Sequence, residues 1–218
     1  MRELLASRPH FLNRETAGDA LGKACAVYAG RHALVLGLPR GGVVVAARVA
    51  RALGDAELDV VVAKKIGAPG APEFALGAVA AGGGRFLDER TIQHLGVPRE
   101  YLESASRATL AEARRQEAAF RGSRPAPRIA GRVVILVDDG IATGSTMRAA
   151  VRAVRQAGPG RVVVAAPVGA PETCAELRHE ADDVICLAEP ESFGSVGGFY
   201  DDFTQVDDRE VHRLLTAV

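Results

Sequence analysis

Hydrophobic and polar positions along this chain follow two alternating rhythms. Continuous branched or small apolar runs occur at 33–38 (ALVLGL), 58–63 (LDVVVA), 133–137 (VVILV), 161–167 (RVVVAAP) and 183–188 (DVICLA). Runs of this length and composition read as strands covered on both faces, the habit of a parallel sheet. Between them the apolar positions recur with helical spacing. Residues 16–29 place Ala17, Ala20, Leu21, Ala24 and Tyr28 on one face, and 41–54 form a second helix ended by Gly54. A long charged helix is expected over 99–122, and 145–157 carries Met147, Ala150, Val151 and Val154 at i, i+3, i+4 and i+7. Further helices are expected at 171–180 and near 207–217. Strands that alternate with helices predict an α/β fold with a doubly wound, mostly parallel sheet flanked by helices, in one domain spanning 1–218. Residues 64–88 (KKIGAPGAPEFALGAVAAGGGRFLD) break the rhythm. Their Gly, Pro and Ala content, with alternating apolar pieces at 74–80 and 85–88, predicts a flexible flap or hairpin after the second core strand. The glycines at 82–84 are too few to separate domains. Residues 189–218 are expected to form a small hood with the N-terminal segment.

One stretch carries a chemical contradiction. The strand 133–137 runs straight into Asp138 and Asp139, followed by GIATGST and a helix. Adjacent carboxylates repel and are costly to desolvate, yet these lie where open α/β sheets bind ligands, at a strand's carboxyl end. The backbone N–H groups of 143–146 would open the next helix, a favourable seat for an anion, and the hydroxyls of Thr143, Ser145 and Thr146 add donors. Carboxylates accept hydrogen bonds from sugar hydroxyls and help hold a hard cation such as Mg²⁺. A phosphate in the loop and a hydroxyl-rich group on the acids would account for both features. A solvated acid pair before an N-capped helix is the bland reading, and the ordered set of features argues against it. A Walker loop is excluded because no Gly-Lys-Ser/Thr occurs; a strand-linked GxGxxG is missing too, and adjacent acids do not match the D-x-D-G of haloacid-dehalogenase-type phosphatases.

Composition adds limits. Hydrophobic content is 48%, charged content 25% and the formal net charge zero, so strong nonspecific attraction to nucleic acid or acidic lipid is not expected. Helix 99–121 interleaves Arg107, Arg114, Arg115 and Arg121 with Glu103, Glu112 and Glu117, as on a solvated, ion-paired face. The lysines are Lys23, Lys64 and Lys65, so the adjacent pair stands out in an arginine-rich chain. Cys25, Cys174 and Cys186 lack metal-type spacing and read as reduced packing residues. The N-terminal MRELLASRPHFLNR has no signal-peptide apolar core, and no apolar run has membrane-spanning length, so a cytoplasmic location is expected.

The stretch VVILVDDGIATGST resembles the phosphoribosyl-pyrophosphate (PRPP) motif of the type I phosphoribosyltransferases. The resemblance implies that Asp138 and Asp139 contact the ribose 2′- and 3′-hydroxyls as the catalytic and metal-associated acids. It implies that Ala142, Thr143, Gly144, Ser145 and Thr146 cradle the 5′-phosphate. GLPRGG at 37–42 looks like the family's pyrophosphate loop, in which a non-proline cis peptide often occurs; Pro39, Arg40 and Gly41 match it, with the cis bond expected at Pro39–Arg40. Lys64 and Lys65 stand where the family often has a basic residue against pyrophosphate, with Lys65 slightly favoured. Glu73, in the flap, is an acid/base candidate. VGGFYD at 196–201 is similar to a base-pocket segment of purine-salvage members, which would assign Asp201 to metal or pyrophosphate and Phe193 and Val196 to the base.

The implied reaction replaces pyrophosphate on PRPP with a nitrogen nucleophile, with Mg²⁺ bound mainly through PRPP. Two departures bear on the acceptor. Hypoxanthine-guanine enzymes carry Asp where Ala142 stands, and a Lys on the next strand where this chain has Ala165 or Ala166, so a 6-oxopurine is disfavoured. Gly140 occupies a place usually held by a branched apolar residue. The expected partners are PRPP and a small nitrogenous acceptor, without membrane or nucleic acid, and a homodimer is left open. Competing readings are a PRPP- or nucleotide-sensing protein that binds without turnover, and a phosphosugar hydrolase.

Overall fold

A computed structural model of the chain describes residues 10–217. The reading of the N-terminal segment as lacking a signal core falls largely on residues 1–9, outside the described residues. The elements in chain order begin with α1 (Arg14–Ala24), β1 (Leu34–Gly37), α2 (Gly41–Leu53) and β2 (Glu57–Val60). Then come β3 (Ala63–Ala68), β4 (Ala71–Ala80), β5 (Arg85–Leu87), α3 (Glu89–Leu95) and α4 (Arg99–Arg121). The second half holds β6 (Val133–Val137), α5 (Ser145–Gln156), β7 (Arg161–Val168), α6 (Pro171–Glu180), β8 (Asp183–Ala188) and α7 (Asp208–Thr216).

Five strands form one parallel sheet in the order β2-β1-β6-β7-β8. The period of two explains how this sheet has two cores. Along β6, Ile135 and Val137 face one layer with α1, α2 and α7, while Val134 and Leu136 face the other with α5 and α6. Both sets are buried, which is why each strand is apolar throughout rather than alternating. The chain leaves β1 through α2 towards β2, and leaves β6 through α5 towards β7, in opposite directions along the sheet. The crevice beyond β1 and β6 is therefore the topological switch point, where open α/β sheets bind ligands.

The stretch 64–88, expected as a flap or a hairpin, contains antiparallel strands. Its strands make a separate antiparallel sheet, β3-β4-β5, held between α4 and α5. Ala78 and Ala80 pack on Ala149 and Ala153 of α5, an alanine-to-alanine seam that brings sheet and helix close. Gly84 takes this to contact distance, since a Cβ there would lie 2.1 Å from the Ala153 nitrogen and 2.3 Å from the Ala149 oxygen. The hairpin tip is open, with Phe74 52% exposed. Two further differences are local. The helix expected over 16–29 stops at Ala24 and continues as a 3₁₀ turn, Cys25–Tyr28. Helix α3 is too short to show a period, but Asp88 caps it by accepting from the Thr91 N–H, and Gly96 ends it in the left-handed region.

The charges of α4 are used differently from a solvated face. Glu112 pairs with Lys64 of β3, Glu103 with Arg85 of β5, and Arg121 with buried Asp59 at 3.0 Å. Among the described ion pairs within α4 only Glu117–Arg121 has the i, i+4 spacing. The helix is thus a brace between the two sheets. Near the two ends of the chain, Phe11 and Tyr200 bridge, and Phe11, Phe193, Phe199 and Tyr200 share one apolar cluster. Among the described residues no helix is long and apolar enough to cross a membrane.

Gly84→Ala should push the small sheet off α5. A loss of about 1–3 kcal/mol, the usual cost of overpacking, is expected from the shift in urea midpoint at unchanged m-value.

Candidate active site

The carboxyl end of β6 delivers Asp138 and Asp139 into the switch-point crevice, and three elements close around them. From β1's side, the loop into α2 carries a cis peptide at Pro39–Arg40. Gly41 and Gly42 then rest directly on the acids. A Cβ on Gly41 would lie 1.9 Å from Asp139 Oδ2, and one on Gly42 would lie 2.9 Å from Asp138 Oδ1. Only glycine permits this approach. Arg40 reaches outward, 3.4 Å from Asp208 of α7.

Arg14 closes the site from the first turn of α1. Its Nε donates to Asp139 Oδ2 at 2.7 Å and its Nη1 donates to the Thr204 carbonyl at 2.8 Å. The guanidinium carbon lies 3.7 Å from the centre of the Phe203 ring, so cation–π contact covers its face. Both ionic side chains of the pair are largely buried, at 11% and 15% exposure. Tyr200 donates its hydroxyl to the Asp139 carbonyl oxygen at 2.6 Å; burial, then the Asp139 charge, raise its pKa. The pattern reading of the sequence did not single out Arg14 or Tyr200. An arginine opening a helix before an apolar face carries no local signal, because its partner is 125 residues away.

The two acids are not equivalent. Asp138 accepts from the Asp139 N–H at 2.9 Å, and its pKa is held well above the usual carboxylate range. Burial is the main cause, and the neighbouring Asp139 charge adds to it.

On the other side of the acids, the 140–146 loop enters α5. Gly144 sits at φ 68° and ψ 0° as the N-cap, with no side chain accepting from the first turn. The leading N–H groups of α5 thus have no side-chain cap, as an anion seat requires. Ser145 is buried and Thr143 exposed. Thr173, at the start of α6, clamps this loop: its hydroxyl donates to the Ala142 carbonyl at 2.7 Å, and a Cβ on Gly144 would lie 2.4 Å from its methyl. It too went unread in the sequence. Gly140 has a physical reason, since a Cβ there would lie 2.4 Å from Val196. The hood supplies the branched side chain that position 140 lacks.

The other candidates scatter. Lys64 and Lys65 point to opposite faces of the small sheet. Lys64 pairs in register with Val79 and its side chain binds Glu112 of α4. Lys65 pairs with Ala78, on the face that packs against α5, and is exposed. Glu73 is exposed in the distal part of β4, with no hydrogen bond to the acid pair among the described residues. Asp201 meets His10 Nε2 at 2.6 Å rather than Asp138 or Asp139. Phe193 stacks obliquely on Phe199 with ring centres 5.4 Å apart.

The uncapped start of α5, the acid pair and a glycine-lined strand–helix turn meet at one switch point. The family model for the phosphoribosyl transferase domain matches residues 14–204, and the chain belongs to that family. Among its relatives is the protein named "Putative phosphoribosyl transferase Rv0571c" of Mycobacterium tuberculosis (strain ATCC 25618 / H37Rv). It is 41% identical over 205 residues, covering 94% of this chain and 46% of that protein. The chain thus spans about half the length of this relative. Among solved structures, TT1426 from Thermus thermophilus is 45% identical with a TM-score of 0.80, covering 95% of this chain and 98% of that one. The AQ2163 protein from Aquifex aeolicus, 14% identical with a TM-score of 0.54 and covering 94% and 86%, shares the fold.

Asp138→Asn should stabilise the protein at neutral pH. Below the usual carboxylate range both folded and unfolded chains are protonated at this site, and the group is neutral to stability. As pH rises, the unfolded chain releases the proton first; the penalty on the folded chain grows until its own raised pKa is passed and stays in full above it. Asparagine removes that penalty and keeps an oxygen for the Asp139 N–H. The variant's melting temperature should exceed wild type at pH 7, where each kcal/mol is worth about 2–4 °C, and the gap should close as pH falls below about 4.

Proposed function

We propose that this protein transfers phosphoribose from Mg²⁺-PRPP to a small nitrogenous acceptor, releasing pyrophosphate. The observation that carries the reading is one juxtaposition: an α5 N-terminus without a side-chain cap beside a largely buried acid pair, in a chain of the phosphoribosyl transferase domain family. The loop follows the acids within one strand–helix turn, an order that suits a sugar with a phosphate at one end and hydroxyls at the other.

In this reading the N–H groups and hydroxyls of Thr143, Ser145 and Thr146, with Ala142 and Gly144, hold the 5′-phosphate. Asp138 and Asp139 hold the ribose hydroxyls. Asp139 is kept in place by Arg14. The sugar is held as the bond to pyrophosphate breaks, and the acid pair's field favours positive charge on the ring. Pro39, Arg40 and Gly41, with Lys65 from the α5-facing side of β3, receive the departing pyrophosphate. Lys64 is less suited because Glu112 engages it.

The residues at the crevice fit Mg²⁺ that arrives with its phosphates. They offer hard carboxylate oxygens, but Asp139 Oδ2 is engaged by Arg14, so a dedicated protein cage is not formed. When bound, Mg²⁺ supplies charge neutralisation to pyrophosphate. The acceptor is not expected to be a 6-oxopurine: Ala142 brings no carboxylate to the loop, and Ala165 and Ala166 lie in the two cores. In this reading the hood residues Phe193 and Val196 line the base side, Asp201 serves the metal or pyrophosphate, and Glu73 is the acid/base candidate. Activity in the cytoplasm and a homodimer are consistent with it.

Two measurements test the reading. Mg²⁺-PRPP should raise the melting temperature and release pyrophosphate in the presence of one of a panel of nitrogenous bases and amines. Binding without acceptor-dependent release would identify a PRPP-sensing protein instead, and no binding would contradict both. Lys65→Ala should weaken PRPP binding about tenfold, the worth of one charge-assisted contact, while Lys64→Ala should change it less than about threefold.

A further inference from the structure

Away from the crevice, the fold assembles a second group of reactive side chains. Cys174 lies in the first turn of α6 and Cys186 on the edge strand β8, with Glu189 just beyond it. Their separation in sequence gives no metal-type spacing. Parallel pairing of β7 with β8 and the packing of α6 over that edge nevertheless bring them together. Cys174 Sγ, Cys186 Sγ and a Glu189 carboxylate oxygen lie within 4.8 Å of one another. Gly169 makes room for the sulfurs, since a Cβ there would lie 2.4 Å from Cys174 Sγ and 3.2 Å from Cys186 Sγ.

We propose that Cys174, Cys186 and Glu189 form a binding site for a thiophilic divalent cation of the Zn²⁺ class. Two thiolates and a carboxylate are the donor set such a cation selects over Mg²⁺ or Ca²⁺. Metal–sulfur bonds of about 2.3 Å at tetrahedral angles place sulfurs roughly 3.8 Å apart, so closure needs a side-chain movement of about 1 Å or less. Charge balance is built in. The guanidinium of Arg178 pairs with Glu189, donating from Nη1 to Oε2 at 3.2 Å and from Nη2 to Oε1. Two thiolates and Glu189 contribute three negative charges, and the cation with Arg178 contributes three positive. Cys174 is fully buried, whereas Cys186 and Glu189 are half-buried, so the group has a closed inner side and an approach from solvent. Cys186 donates its S–H to the Ala188 carbonyl at 3.1 Å, which orients its sulfur. The third cysteine, Cys25, lies in the core among α1 and α2, where burial pushes its thiol up to about 12. It is the internal control.

Binding releases two thiol protons and forms two metal–sulfur bonds, without any change of oxidation state. The site does not depend on the phosphoribosyl reading, and its failure would leave that reading intact. It does connect to the loop in space, because the residue before Cys174 is Thr173, which holds the Ala142 carbonyl.

The test is titration of the reduced full chain, with three thiols verified under denaturing conditions, by Co²⁺. One equivalent should produce the thiolate-to-Co²⁺ charge-transfer absorption, and Zn²⁺ should displace it. Cys186→Ser should abolish the band, Glu189→Gln should weaken affinity about tenfold, and Cys25→Ala should leave it unchanged. Because Cys174 is fully buried and its variants risk misfolding, the decisive results come from wild type and Cys186→Ser. Absence of a thiolate band in the fully reduced wild type, or an undiminished band in Cys186→Ser, would overturn the proposal.

Discussion

The contact between Arg14 and Asp139 organises the functional end of this molecule. Two consecutive carboxylates at the end of a buried strand repel each other and lose hydration, and one guanidinium compensates part of that cost. The requirement propagates. The first turn of α1 must reach the end of β6, so the α1–α2 layer packs where it does. Position 41 must lack a side chain, because a Cβ would occupy the space of the ion pair. Phe203 covers the guanidinium face and Tyr200 holds the Asp139 carbonyl, so the segment after β8 folds back over the N-terminal elements. The hood is thus the cover of an ion pair as well as the rim of a crevice.

The same geometry separates charge of opposite sign. The acids occupy the centre, the α5 N-terminus lies to one side, and the period of a strand puts Lys64 and Lys65 on opposite faces of the small sheet. Glu112 takes one lysine into the brace formed by α4, leaving the other on the α5 side. Under the proposed function, the α5 N-terminus takes the 5′-phosphate, the acids take the hydroxyls between, and Lys65 takes the pyrophosphate. That is the physical content of assigning PRPP to this crevice.

Much of this was legible before any coordinates. The parallel sheet follows from strands apolar on both faces, and the acid pair and its loop stood out because no structural need explains two adjacent aspartates there. The cis peptide at Pro39–Arg40 matched the resemblance of GLPRGG. What remained hidden depended on long-range contact. Arg14 and Thr173 look like ordinary helix-start residues, and their partners are remote in sequence. A hairpin over 64–88 was one of two forms its pattern allowed, but its packing on α5 was not legible, because that depends on alanines and glycines that permit close approach. Gly140 read as a departure until Val196 filled its space. The meeting of Cys174 and Cys186 follows only from which strands pair.

The central claim is electrostatic: burial and the Asp139 charge hold the Asp138 carboxyl towards its protonated form. A ¹³C-NMR titration of the aspartate side-chain carboxyls, with Asp138→Asn for assignment, measures this directly. The account predicts that the Asp138 resonance titrates well above the ordinary carboxylate range. Titration of that resonance within the ordinary range, near about pH 4, would contradict it.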